Sequence, residues 1–199
     1  MKRFILSIAA SVMAFAALCA DFDPLAADIE ANIRHPEVPA KAAQAVSSSM
    51  NQLVRTLRGA GYSVRAVRDG QVVLVTIPAV QLFAPGSTAL RPEASSALRP
   101  LMPYINRTDN YKVIVAAHSD DTGDEVYADR LTADRANAVD EFFFALNSNA
   151  DTGIIPYGLG ADEPVEANNS IAGRAANRRI EIYFVPTQEY IDKVRRRRN

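Results

Sequence analysis

Apolar residues recur at three- and four-residue steps from Ala42 to Leu57 (Ala42, Ala45, Val46, Met50, Leu53, Val54 and Leu57). This predicts an amphipathic helix over 41–59, closed by Gly59 and Gly61. The period then shortens to two. Tyr62, Val64 and Ala66 or Val67 alternate up to Asp69-Gly70, and Val72–Ile77 follows, which predicts a hairpin. Phe83-Ala84-Pro85-Gly86-Ser87 marks a loop within 82–90, and Pro92 opens a helix whose inner side carries Ala97, Leu98, Leu101 and Met102. Tyr111–Ala117 is a near-continuous apolar run that suits a buried strand. Glu125–Leu146 predicts a long helix with Val126, Leu131, Ala138, Val139, Phe142 and Leu146 toward the core. Ile154–Gly158 reads as a short strand, 160–173 as a long polar connection, and Arg179–Val185 as an alternating last strand stopped by Pro186.

The order β-α-β-α-β-β predicts an α/β fold of the α+β two-layer kind, a mixed sheet with helices on one face, preceded by a helix and the hairpin. The expected division is a signal peptide at 1–20, a tether and N-terminal helix at 21–60, a domain at 61–186, and a basic tail at 187–199. The tether holds Pro24, Pro36 and Pro39 and one helical turn within 24–34.

Composition narrows the class. With 199 residues, 48% hydrophobic and 23% charged, the chain has an ordinary globular mix. A net charge of −1 argues against nonspecific nucleic-acid binding, so no nucleic acid is expected among its partners. Lys2-Arg3 followed by the apolar run 4–18 has the pattern of an export signal and is short for a membrane span. Its removal leaves a net charge of −3. The single cysteine, Cys19, excludes an intrachain disulfide. Two fates stand for it: loss with a leader cut after Ala20, or lipidation at Cys19. Leu18 and Ala16 occupy the two lipidation-signal positions in the reverse of the favoured order.

Two separated motifs carry chemistry. Ala117-His118-Ser119-Asp120 with Gly123 is followed by Leu131-Thr132, Arg135-Ala136 and Val139. Downstream come Gly158, Gly160, Pro164, Asn169 and the block Gly173-Arg174 to Asn177-Arg178-Arg179-Ile180-Glu181-Ile182. Over about residues 70–186 this resembles the OmpA-like peptidoglycan-binding domain family, which includes the C-terminal domain of OmpA, Pal and the periplasmic part of MotB. The resemblance implies a noncatalytic module that binds peptidoglycan through the diaminopimelate of its stem peptide and anchors the cell envelope to the wall. It implies that Asp120 holds the ligand ammonium and Arg135 its carboxylate, with Phe83, Leu131 and Thr132 lining the pocket. Ser119, Arg174 and Arg178 are candidates for its border. The chemistry is sound: a fixed carboxylate suits an ammonium, and a guanidinium fork binds two carboxylate oxygens at once. Ala128 stands where the family has an Asn, so one amide expected near the pocket is missing.

The implied location is the periplasm or the periplasmic face of the outer membrane, with outer-membrane proteins or lipid as further partners. The alternative is the same fold used as a periplasmic interaction module without wall binding, meeting its partner through helix 41–59. No cofactor is expected. No metal is expected either, since His118 stands alone beside Asp120 and Asp121 and reads as structural. No nucleophile motif points to an enzyme. The run Arg195–Arg198 reads as a solvated tail or as a contact for anionic lipid or wall polymer.

Overall fold

The computed structural model describes residues 29–34, 36–147 and 153–196. Residues 1–20, Cys19 among them, the first part of the tether and Arg197–Arg198 lie outside the described residues. A short helix α1 (Ile29–Ile33) precedes α2 (Ala40–Gly59), the hairpin β1 (Ser63–Val67) and β2 (Val72–Pro78), and α3 (Ala79–Leu82). The expected helix after Pro92 is broken into α4 (Ala94–Leu98), a 3-10 turn and α5 (Met102–Ile105), because Pro100 and Pro103 each remove a backbone donor. Then come β3 (Tyr111–Ala117), α6 (Glu125–Leu146), β4 (Ile154–Gly158), α7 (Ile171–Asn177), β5 (Arg179–Pro186) and α8 (Gln188–Arg196).

The five strands form one mixed sheet in the order β1-β2-β5-β3-β4, with only β3 and β4 parallel. β5 enters the centre, where Ile182 faces Val75 on one side and Val115 on the other. Period-two alternation then assigns the faces. Val73, Val75, Ile77, Val113, Val115, Ile180, Ile182 and Phe184 share the main core with α2 and α6. The opposite side chains Val72, Leu74, Ile114 and Val185 meet Ile29 and Ile33 of α1.

Several expectations need correction. Helices do not keep to one face, since α1 covers part of the other. β5 is buried at all its positions rather than alternately exposed, because a central strand is covered on both sides. Val126 is exposed, and Phe143, not Phe142, is fully buried on α6; Phe142 only packs at the core's edge. The hairpin turn is longer than Asp-Gly: Gln71 N–H reaches the Val67 and Arg68 carbonyls, and Arg68 and Asp69 both take positive φ. The polar connection ends in α7, capped by Ser170, whose hydroxyl accepts from Gly173 N–H at 2.9 Å. Val46, Met50, Leu53, Val54 and Leu57 of α2 and Tyr190 and Ile191 of α8 also belong to the main core.

Candidate functional site

The cleft lies where β3 ends and α6 begins. Ser119 N–H donates to the Gly160 carbonyl at 2.6 Å, which fixes the chain just past β3. Asp120 follows; its Oδ1 accepts from Thr122 N–H at 3.1 Å in a local turn, and Gly123 at φ +104° completes the reversal. Asp124 caps α6 by accepting from Tyr127 N–H at 3.2 Å. From that start, Tyr127, Leu131 and Arg135 recur every four residues and so share one face. The α6 axis is held against β4 by Gly158, where an added Cβ would stand 2.3 Å from the Ala133 nitrogen.

The opposite wall is the loop after α3. Phe83 bridges Leu90, and Arg91 N–H donates to the Leu82 carbonyl at 2.8 Å, so 84–89 form a closed excursion. Its carbonyls point at one guanidinium. Arg135 Nε donates to the Ser87 carbonyl at 2.9 Å and Nη2 to the Ala84 carbonyl at 3.4 Å, while its Cζ lies 5.0 Å from the Phe83 ring centroid. Nη1 of Arg135 has no partner among the described residues, which leaves donors for a ligand.

Phe83, Ser119, Asp120, Leu131, Arg135 and Arg178 line one cleft of about 350 Å³. Thr122 and Tyr127 also line it, as do Val80 and Pro85. Thr132 and Arg174 are placed elsewhere. Thr132 is fully buried, donates to the Ala128 and Asp129 carbonyls at 2.9 Å, and accepts from Gly160 N–H at 3.0 Å. Arg174 donates to the Asn168 carbonyl at 2.7 Å. Asn177 fixes the same loop, accepting from Val165 and Glu166 N–H and donating to the Glu166 carbonyl and Asn168 Oδ1. Ala128 is buried and does not line the cleft, whereas its neighbour Tyr127 does.

Charge is unevenly distributed. Arg178 Nη1 pairs with Asp120 Oδ2, so the carboxylate is neutralised by a neighbour. Arg135 has no carboxylate partner among the described residues. Burial pulls its guanidinium below the ordinary range; Tyr127 opposes this and the Arg178 charge adds to it. A buried cation held by carbonyls and an aromatic face is a strong seat for an anion.

Behind the cleft, on the sheet's other face, lies a separate polar network. Glu181 Oε1 accepts from Arg179 Nε at 2.8 Å, and Oε2 accepts from Tyr183 Oη at 2.5 Å, with His118 Nε2 3.4 Å away. Burial pushes the Glu181 carboxyl up, but the His118, Tyr183 and Arg179 contacts outweigh it and hold the value at about 2. His118 is buried beside Glu181 in this network.

Residues 82–178 match the OmpA family. Over 130 residues the chain is 29% identical to the probable lipoprotein YiaD of Escherichia coli, covering 65% of this chain and 58% of that protein. It is 34% identical over 107 residues to the outer-membrane lipoprotein YfiB of Pseudomonas aeruginosa, covering 54% and 62%. The chain thus spans about three fifths of the length of these relatives. The cell wall anchor of the T6SS from Pseudomonas aeruginosa is similar in structure, with a TM-score of 0.57 and 28% identity, covering 67% of this chain and 94% of that one. A putative MotB-like protein from Desulfovibrio vulgaris shares the fold at a TM-score of 0.63 and 23% identity, covering 72% and 94%. The matched segment resembles the OmpA family and contains both Asp120 and Arg135.

Proposed function

We propose that the protein binds peptidoglycan without catalysing a reaction, taking the free zwitterionic end of diaminopimelate into this cleft and so tying the cell envelope to the wall. The observation that carries this reading is the position of Arg135: a buried guanidinium, oriented by two carbonyls and a ring, in the same cleft as Asp120. The ligand carboxylate meets the free edge of Arg135, and its ammonium meets Asp120 at the expense of part of the Arg178 contact. Leu131, Phe83 and Tyr127 pack beside the intervening carbons. A structural relative named a cell wall anchor supports the wall as the partner class. A relative named an outer-membrane lipoprotein supports the periplasmic side of that membrane as the location, with lipidation at Cys19 as the means of attachment.

The alternative, a pure interaction module working through helix 41–59, finds little surface there, because the apolar face of α2 is buried from Ala42 to Leu57. Sedimentation with purified sacculi tests the proposal. The wild-type protein should pellet with sacculi and Arg135→Ala should stay in the supernatant with an unchanged circular dichroism spectrum. Equal pelleting of the two would refute the assignment.

A further inference from the structure

A second hollow, of about 440 Å³, lies between α2, α5 and α8. Tyr111, the first residue of β3, lines it, while β3 ends at Ala117 beside the Asp120 cleft. Seven strand residues at roughly 3.3 Å each put the two hollows about 20 Å apart, at opposite ends of the sheet. Arg107 and Lys193 stand exposed on the wall of this hollow, and no carboxylate among the described residues lines it. Gln52 and Thr56 add neutral polar groups, and Tyr104, half-buried, carries Arg107 over its ring at 6.0 Å. α8 extends the charge in its last turn through Arg195 and Arg196; Arg195 is partly spent on Asp192 at 3.1 Å, and Glu189 lies a helix turn or more upstream.

The chain also enters at this end. Arg34 and Pro36, just past α1, border a shallow depression with Lys112, Pro186 and Thr187, the residues that open β3 and lead into α8. The sequence upstream of Ile29 leads back to Cys19, the candidate lipidation position, and the sequence after α8 continues with Arg197 and Arg198.

We propose that this pole seats the anionic headgroups of a phospholipid membrane, through Arg107 and Lys193 at the hollow and Arg196 beside it, leaving the opposite cleft free to face away from that membrane. An anionic leaflet attracts basic side chains near its surface, at about fivefold in partitioning per cation. Stable attachment takes two signals, such as a lipid chain and a basic patch together. An amphipathic tyrosine at the rim suits the headgroup level. A soluble polyanion would satisfy the charges, but neither the tyrosine nor the arrival of the chain at this same pole favours it.

Vesicle co-sedimentation of the exported, processed protein tests this. Phosphatidylcholine vesicles give the charge-independent baseline, and vesicles of phosphatidylcholine and phosphatidylglycerol in equal parts give the charge effect. The wild-type protein should prefer the anionic vesicles by roughly tenfold or more. The triple variant Arg107→Gln, Lys193→Gln, Arg196→Gln should lose most of that preference while its thermal unfolding and its pelleting with sacculi stay unchanged. Equal binding of the wild-type protein to both vesicles would overturn the proposal. So would a triple variant that keeps the wild-type preference, or a wild-type protein that binds soluble polyphosphate but shows no vesicle preference.

Discussion

Arg178 and Asp120 pair across 58 residues of chain, Nη1 to Oδ2, and so join the turn after β3 to the start of β5. The Arg178 side chain is 42% exposed and that of Asp120 only 5%. A half-exposed guanidinium on a buried carboxylate is a movable partner, and this bears on both stability and binding. Arg178→Ala leaves Asp120 with the Thr122 N–H alone, and should lower the stability by about 1 kcal/mol. Urea unfolding followed by circular dichroism measures it. Binding to sacculi should fall less than for Arg135→Ala, because the ligand ammonium gains Asp120 for itself.

Phe83 serves two surfaces. It is 1% exposed in the main core and also supports the Arg135 guanidinium. Phe83→Leu keeps an apolar side chain but removes the ring, at an expected cost of roughly 1–2 kcal/mol in stability. Muropeptide affinity should fall several-fold as Arg135 loses its platform. A variant that binds at wild-type strength would show that the two carbonyls suffice to orient the guanidinium.

Gly158 sets how closely α6 approaches the sheet. A methyl group there meets the Ala133 backbone, which has no flexible end to move aside. Gly158→Ala should destabilise the protein by about 2–3 kcal/mol and loosen the helix that carries Arg135. Denaturant midpoints and sacculus pelleting should both fall, and the first should fall even if ligand binding proves to lie elsewhere.

The buried Glu181 carboxyl predicts an acid limit. Its folded value of about 2 lies below the ordinary value of 4.5, so the folded state binds this proton less readily than the unfolded chain. The stabilisation is therefore fully present above about pH 4.5 and is lost as the pH falls toward 2, amounting to roughly 3 kcal/mol. Glu181→Gln should flatten the stability profile over that window, measured by thermal unfolding at stepped pH.

Much of this architecture was legible in the chain because periodicity reports burial. The 3.6 period of 41–59, the alternation around Asp69-Gly70 and the apolar run Tyr111–Ala117 each marked an element that the fold contains. The misplaced details depend on partners distant in sequence. Alternation in β5 could not show that α1 would cover its second face. Val126 fitted a helical stripe, but it lies in the first turn of α6, which projects beyond the sheet into solvent. In the site, the family resemblance pointed to Asp120 and Arg135, and the fold brings both to one cleft. The pairing of Arg178 with Asp120 was not legible, because it requires β5 to enter the sheet beside β3. Thr132 shares its motif with Arg135 yet turns to Gly160, a difference of helix face that the motif alone does not encode.

The most direct measurement compares two stem peptides by titration calorimetry: one ending in diaminopimelate, and one with lysine in its place, which keeps the ammonium but lacks the second carboxylate. The protein should bind the first and not measurably the second, and Arg135→Ala should abolish the difference. Equal affinity for both peptides would contradict the claim that Arg135 recognises that carboxylate.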